Sequence, residues 1–412
     1  MYENLSRSLK VSVVTTWPPY RDGISLYSAR LYKKIANFLN VEIIANKIEA
    51  CDTPKSYVGG GGKIVVSRCW GRGTIFCPFQ IICQAIKSRA HIVHFHYGWL
   101  LYGFITTPFI PFSLLILHLL RRSVVLTLHT VIQRNAKIYN MKFLNSLANF
   151  TIFVLTRLLT KFSSRIIVHN SLMKKVLERN YGCESQKIAV IPHGVVKAKL
   201  EDRNRKHSDN TLKILSLGFL REEKKLECLL EVFSNFSIKN PEARLFIIGG
   251  RHPHDKNRYL EKIKKLIFKL KLENRVYLMN FVSEKELDKL IHDCDFIVLT
   301  STKDYFVETS GALTRVADFN KPVICTTVTK FRSELKNGYD CLMFSPENGN
   351  ELMNAMHILV KDKNLGRQLA LNLKKHFETR YWSNVAKAHV DLYTSLLNFK
   401  ENIEQTHNGS ED

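Results

Sequence analysis

The sequence predicts an α/β protein with two doubly wound domains, each a parallel sheet covered by helices on both faces. Three observations support this fold class. The chain has 412 residues, which is too long for one ordinary domain. Short apolar runs alternate with longer amphipathic segments along nearly the whole chain. This alternation stops at one polar segment and then starts again, as expected for a second domain.

The short apolar runs are typical of buried parallel strands. In the first half of the chain they occupy positions 11–16, 41–45, 63–66, 91–96, 124–129, 165–169 and 188–191. In the second half they occupy positions 214–217, 245–248, 276–279, 296–299, 323–325 and 342–344. The last segments, 364–379 and 382–397, have a helical pattern.

The polar segment 197–211 is charged and has no periodicity, which predicts an interdomain linker. We therefore expect an N-terminal domain at 1–196, a C-terminal domain at 212–380 and a closing helix at 381–398. Residues 399–412 have almost nothing to bury, which predicts a disordered tail. Sheets of this kind bind ligands at the carboxyl ends of their strands, so we expect a cleft between the two domains to hold the site.

The composition allows sizeable cores, because 45% of the residues are hydrophobic and 24% are charged. Lys and Arg number 61 against 37 Asp and Glu, giving a net charge of +24 and predicting an anionic partner. Nucleic acid, an anionic membrane surface and a phosphorylated substrate all fit that charge. The nine cysteines have no C-x-x-C spacing, which argues against a zinc site or a disulfide framework. The N-terminus lacks the apolar core of a signal peptide, so we expect a cytoplasmic protein.

Residues 99–120 carry no formal charge and are numerous enough to span a bilayer. Pro108 and Pro111 interrupt this segment, and strand patterns flank it on both sides. These features favour a buried crossover helix, with a helix that dips into a membrane as the alternative.

In the second domain, a basic segment follows the first strand. Gly218 ends the strand, and Arg221, Lys224 and Lys225 come just after it. Cations at the carboxyl end of a strand are suited to binding a phosphate. An ordinary basic surface loop is the alternative interpretation.

The segment that begins at Glu308 suggests a second phosphate element. Thr309 or Ser310 is a suitable helix cap, and Gly311 would let a ligand approach the backbone. Free N–H groups at such a helix start are suited to a diphosphate. Arg315 follows Glu308 by seven residues, which is about two helical turns and would bring both to one side of a helix. An ordinary capped helix is the alternative.

Two residues of the first domain are further candidates. Gly23 follows the first strand, where its backbone is expected to approach an anion, and His129 ends the fifth strand at the expected edge of the cleft. The four glycines at 59–62 do not form a P-loop, because Ile64 begins a strand where a helix is required.

Several motifs occur in a characteristic order along the chain. They are V-L-T-L-H-T in the first domain, K-I-A-V-I-P-H-G-V at the junction, G-x-x-x-x-x-K after the first strand of the second domain, N-K-P-V-I-C-T-T, and R-Y-W-S-N-V-A-K-A-H-V-D-L-Y near the end. In this order they resemble the retaining GT-B glycosyltransferases of family four, over residues 10–398. The resemblance implies the GT-B fold, with two Rossmann-like domains facing a central cleft and the closing helix crossing back to the first domain.

The resemblance also implies a function. The C-terminal domain would hold a nucleotide-diphosphate-sugar donor, and the N-terminal domain would hold a glycan or lipid-linked acceptor. Transfer would retain the anomeric configuration and need no metal or other cofactor, because helix N-termini and basic side chains stabilise the leaving diphosphate.

Individual roles follow from the matching positions. Lys224 would contact the diphosphate, the amides of Thr309, Ser310 and Gly311 would support it, and Gly23 would lie beside it. His129 would lie against the transferred sugar. Gly218, Gly249 and Phe281 would line the nucleotide site, where backbone contacts select the base.

The sequence departs from the family pattern at the donor site. Phe219 occupies the place of the usual arginine, and Arg221 is expected to supply the missing cation. The paired glutamates are incomplete, since Arg315 replaces the second one and Glu308 lies one place from the first. Arginine has only donors and cannot accept hydrogen bonds from ribose hydroxyls. Arg315 is therefore expected to change donor recognition, with Glu308 as a polar contact to the donor.

These observations leave four hypotheses. The first is a hexosyltransferase that acts at the cytoplasmic face of a membrane and is attached there peripherally through the positive charge. The second is a pseudoenzyme that binds nucleotide sugars without turnover, suggested by Phe219 and Arg315. A nucleic-acid-binding protein has only the charge in its favour and no motif. A sugar-nucleotide epimerase of the same fold is the fourth, and it would turn over without an acceptor.

Overall fold

A computed structural model describes residues 9–48, 55–58, 62–198, 211–250 and 258–408. The chain divides into two compact units. Unit 1 contains Met1–Gly194, Tyr305–Glu308 and Trp382–Asp412, and unit 2 contains Val195–Asp304 and Thr309–Tyr381. Most of the expected linker, residues 199–210, lies outside the described residues.

The first part of the chain alternates strands with helices. The strands are β1 (Lys10–Thr15), β2 (Asn40–Asn46), β3 (Lys55–Val58), β4 (Lys63–Trp70), β5 (Ile92–Tyr97), β6 (Ser123–Leu128), β7 (Thr130–Ile132), β8 (Arg165–Val168) and β9 (Ile188–Val190). The helices are α1 (Gly23–Ile35), α2 (Cys77–Lys87), α3 (Ile110–Leu119), α4 (Lys142–Lys161) and α5 (Ser171–Tyr181), with 3-10 turns at Thr107–Phe109 and Ser185–Lys187.

The second part repeats this alternation. Its strands are β10 (Lys213–Leu217), β11 (Arg244–Ile248), β12 (Val276–Met279), β13 (Phe296–Leu299), β14 (Phe306–Glu308), β15 (Val323–Thr326) and β16 (Leu342–Phe344). Its helices are α6 (Leu226–Lys239), α7 (Arg258–Lys269), α8 (Glu284–Asp293), α9 (Gly311–Val316), α10 (Thr329–Arg332), α11 (Gly349–Lys361), α12 (Lys363–Phe377) and α13 (Trp382–Asn408), with 3-10 turns at Glu222–Lys224 and Glu378–Arg380.

The main sheet of unit 1 has the order β3-β4-β2-β1-β5-β6-β8-β9, and β3 is its antiparallel strand. The order reverses between β1 and β5, which is the position where doubly wound sheets bind ligands. Strands β5 and β6 are buried along their whole length, as strands covered on both faces require. Helix α13 belongs to this unit and packs against α1.

A separate two-stranded sheet also belongs to unit 1. Strand β14 pairs antiparallel with β7, so that Val307 lies opposite Val131. Both side chains are buried in the core of the unit. The chain therefore contributes a short segment from its second half to the first unit.

The sheet of unit 2 has the order β12-β11-β10-β13-β15-β16, with parallel pairing between neighbours. Its order reverses between β10 and β13. The doubly wound α/β class expected from the sequence is thus confirmed in both units, and each predicted strand overlaps an observed one. Three short antiparallel strands, β3, β7 and β14, were not predicted.

The uncharged segment 99–120 differs from the expected crossover helix. Only α3 and the 3-10 turn before it are helical, because Pro108 and Pro111 lie in their first turns. Leu114 and Leu117 of α3 are buried, whereas Phe112 is exposed. The segment is therefore a half-buried surface helix rather than a fully covered one.

The closing helix is longer than expected, and one other helix is apolar enough to bear on membrane contact. The closing helix α13 continues to Asn408, past the predicted end at 398, so residues 399–408 are helical rather than a disordered tail. Residues 409–412 of that tail lie outside the described residues.

Within the described ranges, α4 is the helix whose length and mean hydropathy of 1.3 suit a membrane span, and 17% of it is buried.

Candidate functional site

The carboxyl edge of the unit 2 sheet brings together several candidate residues. Gly218 follows β10, Gly249 follows β11, and Phe281 lies just past the end of β12. Thr300 and Ser301 follow β13, the strand beside β10 at the reversal of the order. The site residues predicted for this unit near Gly218 therefore do lie along one edge.

Lys224 ends the 3-10 turn after β10, and its ammonium group lies beside Gly218. A side chain at Gly218 would place its Cβ 3.1 Å from Lys224 Nζ. Lys224 also lines a small cavity together with Thr300, Ser301 and Thr302. The hydroxyl groups of Thr300 and Ser301 are buried there and have no hydrogen-bond partner among the described residues. One cation thus lies near two hydroxyl-bearing residues at the reversal point.

The loops around Gly218 and Gly249 are closely packed. Both glycines have positive φ, +136° at Gly218 and +143° at Gly249. A Cβ at Gly249 would lie only 2.0 Å from the Gly218 carbonyl oxygen. Side chains are excluded from Gly249 on both counts, which lets the two loops approach each other closely.

Phe219 and Arg221 occupy the wall of this edge. The ring of Phe219 packs edge-on against Phe281, with centroids 5.7 Å apart. The Arg221 guanidinium lies 5.8 Å from the Phe219 centroid, and its Nη1 donates to Glu223 Oε1 at 3.1 Å. Burial would raise the pKa of Glu223, but Lys303 and Arg221 beside it hold that pKa below its ordinary value. The charge of Arg221 is therefore partly neutralised, while its Nε is buried without a partner within the described ranges.

The turn at residues 308–311 is divided between the two units. Glu308 ends β14 in unit 1, where its Oε2 accepts from Thr130 Oγ1 at 3.4 Å. Thr309, in unit 2, donates from Oγ1 to Glu334 Oε1 at 2.5 Å. Ser310 caps α9 by accepting from the Leu313 amide, as expected for a capped helix. Gly311 is the first residue of α9, which has six residues and does not reach Glu308. The expectation that one helix brings Glu308 and Arg315 to one side is therefore wrong, because Glu308 ends a strand.

Arg315 lies in the second turn of α9, and the structure places its guanidinium against α8. The side chain is 4% exposed and forms ion pairs with Asp288 and Glu284, the latter at 3.3 Å. It also lies over the ring of Phe319. This arrangement joins α8 to α9. The Nε and Nη1 atoms of Arg315 are buried without partners among the described residues, so donor recognition by Arg315 stays a prediction.

In unit 1, Gly23 is the first residue of α1, directly after the cap Asp22. Asp22 accepts from the Ser25 amide at 2.6 Å and from the Thr16 hydroxyl at 3.0 Å. Burial raises the pKa of Asp22 despite these hydrogen bonds. This carboxyl occupies the helix start expected to approach an anion, and it was not identified from the sequence.

His129 lies at the end of β6, inside a series of hydrogen-bonded rings. Its Nε2 is 2.8 Å from His96 Nδ1, and its Nδ1 is 3.1 Å from His169 Nε2. His169 Nδ1 in turn is 3.1 Å from the carbonyl oxygen of Ile191. At the other end, His96 Nε2 is 2.7 Å from the hydroxyl of Tyr32.

A carbonyl oxygen only accepts, and this sets the direction of the whole series. His169 must therefore carry its proton on Nδ1, which leaves Nε2 to accept from His129. By the same argument His129 donates from Nδ1 and accepts at Nε2 from His96. Burial, followed by neighbouring imidazoles, lowers the pKa of both His96 and His129, so the neutral rings required by this pattern are favoured.

Both ring nitrogens of His129 are therefore occupied within unit 1. A role of His129 against a sugar stays a prediction, and the hydrogen-bonded series fixes the orientation of its ring. His96, His169 and Tyr32 were not identified from the sequence. The H-x-H spacing in β5 was the available signal, because alternate residues of a strand share one face.

Comparisons with known proteins agree with this architecture. The family model described as "Glycosyltransferase Family 4" matches residues 21–199, and the one described as "Glycosyl transferases group 1" matches residues 198–376. Mannosylfructose-phosphate synthase of Agrobacterium fabrum is 24% identical over 233 residues, which cover 54% of this chain and 51% of that protein. The chain thus spans about half the length of this curated relative.

Solved structures show the same fold. Sucrose-phosphate synthase from Thermosynechococcus elongatus superposes with a TM-score of 0.73 at 16% identity, covering 95% of this chain and 99% of that one. Anabaena HepE in complex with UDP-glucose superposes with a TM-score of 0.70 at 15% identity, covering 94% and 100%. At these identities the likeness concerns the fold, two parallel-sheet Rossmann-like units of the GT-B class.

Proposed function

The chain belongs to the family of glycosyl transferases group 1 and glycosyltransferase family 4, and from this premise we propose that it transfers a sugar from a nucleotide-diphosphate-sugar donor. The proposed acceptor is a glycan or a lipid-linked saccharide. Transfer retains the anomeric configuration and requires no divalent metal. The protein acts in the cytoplasm, peripherally at the inner face of the membrane.

The observation that carries this proposal is the cavity at the reversal point of the unit 2 sheet. Lys224, Thr300 and Ser301 line it together, and two buried hydroxyls there have no partner within the described part of the chain. Phosphate oxygens accept from ammonium groups, so Lys224, whose Nζ lies beside Gly218 at the reversal point, suits an oxygen of the donor diphosphate.

The chemistry follows from that charge arrangement. As the bond between the sugar and the diphosphate breaks, negative charge develops on the leaving oxygen. An ammonium group fixed beside that oxygen stabilises the transition state more than the ground state. Lys224 is the residue proposed for this role, with Arg221 as a further donor.

Lys224→Ala tests this role, because it removes the cation and leaves the cavity open. We expect kcat to fall by about a hundredfold in nucleotide release from UDP-, GDP- and ADP-sugars supplied with membrane extract. UDP-glucose is the first donor to try, because HepE is solved with it. The matched control is Lys262→Ala, whose exposed ammonium does not line this cavity and pairs with Glu227 at 2.6 Å. Equal losses in both variants, or no nucleotide release with any donor, would contradict the proposal.

Retention and metal independence have their own readouts. The anomeric proton coupling of the product, measured by NMR, is expected to match that of the donor sugar. Activity is expected to be unchanged by excess EDTA. An inverted product or a complete loss with EDTA would overturn the corresponding part of the proposal.

A second candidate is a nucleotide-sugar-binding protein without turnover. Arg221 is paired with Glu223 and Arg315 with Asp288, so two cations of the expected donor site also have partners within the protein. Calorimetry distinguishes the candidates. Tight binding of a nucleotide sugar without product formation, even with acceptor present, would favour the second one.

A further inference from the structure

Helices α2, α3 and α4 form one layer on a single face of the unit 1 sheet. The chain passes from β4 to β5, from β5 to β6 and from β6 to β8, each time toward the β9 edge. Such crossovers are right-handed, so the connecting helices lie on the same face. The packing agrees, since α2 contacts α3 and α3 contacts α4.

The N-terminal ends of these helices expose large apolar side chains. Crossover helices run antiparallel to their strands, so these ends lie at the carboxyl edge of the sheet, as Gly23 and His129 do. We call this surface the apolar rim, and define it by the exposed side chains Ile75, Phe76, Phe104, Ile105, Phe143 and Phe150. Phe104 is 78% exposed and Phe143 is 75% exposed, and the rim groups several such side chains along one edge, unlike single exposed apolar residues elsewhere.

The loops that carry the rim are joined to one another. Thr106 Oγ1 donates to the Thr74 carbonyl at 2.9 Å, which links the loop before α3 to the loop before α2. The rings of Phe79 and Phe112 contact each other with centroids 6.0 Å apart. The loops before α2 and α3, which carry Ile75, Phe76, Phe104 and Ile105, are therefore linked to each other, and the two helices are in contact.

On α4 the exposed apolar residues follow a helical stripe. Phe143, Leu147 and Phe150 are spaced by four and three residues, which places them on one side of the helix. Ile152 and Leu159 are buried on the side that packs on the unit. Helix α4 is therefore attached to unit 1 along one side and apolar along another.

The charge of this region is of one sign. From position 53 to position 177 the sequence contains 16 Lys and Arg and no Asp or Glu. Three of these cations, Arg134, Lys137 and Lys142, are exposed in the segment that leads into α4, next to Phe143. A surface with apolar side chains at its edge and cations beside them is complementary to an anionic lipid leaflet.

We propose that the apolar rim inserts into the head-group region of an anionic membrane, with the neighbouring cations contacting lipid phosphates. Insertion of the rings removes apolar surface from water, and the cations add an attraction of the kind measured for polybasic segments. The N-terminal ends of α2, α3 and α4 then face the membrane surface. This inference rests on the proposed function, which places the protein peripherally at the membrane. It specifies which surface of unit 1 attaches there.

Vesicle flotation with the full chain tests the proposal in the absence of donor and acceptor. We expect binding to vesicles of phosphatidylcholine with phosphatidylglycerol, and at least tenfold weaker binding to phosphatidylcholine alone. The double variant Phe104→Ser/Phe143→Ser should lose about tenfold or more in affinity for the anionic vesicles. Lys137→Gln/Lys142→Gln should lose a similar factor and show a weaker salt dependence.

The control is the double variant Ile238→Ser/Phe268→Ser, because these two side chains lie in unit 2 and are 77% and 72% exposed. It should bind as the wild type does. No binding to anionic vesicles, or equal losses in the rim and control variants, would overturn the proposal. If the apolar rim instead binds an acidic protein, no binding to anionic vesicles is expected. Nucleotide release with a detergent-soluble acceptor is measured separately, so failure here is distinguishable from failure of the sugar transfer.

Discussion

At the scale of single residues, the buried histidines of unit 1 are the groups most sensitive to pH. His389 donates from Nδ1 to the Val385 carbonyl in its own helix, and its Nε2 has no partner among the described residues. Burial lowers the pKa of His389 to about 4, and it lowers the pKa of His169 to about 4 as well. Both rings are therefore neutral in the folded protein at pH 7.

These pKa shifts predict acid destabilisation with a definite sign. In the unfolded chain a histidine titrates near pH 6.5, so between about pH 6.5 and pH 4 the unfolded state holds a proton that the folded state lacks. Stability is fully present above that window and falls with pH inside it, by about 1.4 kcal/mol per pH unit for each ring. His389→Leu should remove one such contribution, measured as the slope of unfolding free energy against pH in urea titrations.

The matched control for this prediction is Val390→Ala, which changes a buried apolar residue of the same helix. It should lower stability by the same amount at every pH and leave the slope unchanged. An unchanged slope in His389→Leu would show that this ring is protonated in the folded state, contrary to the burial argument.

At the scale of elements, the loop after β11 requires glycine at position 249, whereas the start of α9 does not require glycine at position 311. Gly249 combines φ of +143° with the 2.0 Å approach to Gly218, whereas a Cβ at Gly311 would meet nothing within 4 Å. Gly249→Ala should therefore cost on the order of 3 kcal/mol of stability and weaken nucleotide binding. Gly311→Ala should change stability by less than about 1 kcal/mol. Urea unfolding and calorimetry measure both, and equal effects at the two positions would contradict the geometry.

The sequence was most informative about the parallel strands. Continuous apolar runs such as 296–299 are required when both faces of a sheet are covered, so they are visible without any knowledge of pairing. Strands β7 and β14 have three residues each, and each is a strand only because it pairs with the other. No local pattern encodes a partner 176 positions away, as Val307 is from Val131.

The candidate site was predictable to a similar extent. Lys224 and Gly218 were placed by their distance from the end of a strand, and they do lie together. Thr300 and Ser301 were missed, because hydroxyl residues after a strand are common and their lack of partners is visible only in three dimensions. The ion pair of Arg315 with Asp288 was missed for the same reason, since it joins residues 27 positions apart.

At the scale of the whole molecule, the stability of unit 1 depends on the last helix of the chain. Trp382 is 7% exposed, and its ring packs on Tyr27 with centroids 5.2 Å apart. Gly194 is required beneath it, since a Cβ there would lie 2.2 Å from the indole. Residues far apart in sequence thus form one core.

Trp382→Ala tests this dependence. We expect unit 1 to lose about 3–5 kcal/mol of stability through the cavity that the substitution leaves. Hydrogen exchange measured by mass spectrometry should become faster in β5 and β6 and stay unchanged in β10 and β11. Trp99→Ala, a 39% exposed control in the same unit, should leave both pairs of strands protected. Faster exchange in unit 2 as well would contradict the division of the core.

The division of the chain also determines when each unit is complete during synthesis. Every segment of unit 2 has been made once Tyr381 is joined, whereas unit 1 still lacks Trp382 and the helix that follows. The unit that starts first on the ribosome therefore finishes last. The surface of α1 that α13 covers therefore stays exposed throughout the synthesis of unit 2, and such exposed apolar surface favours aggregation.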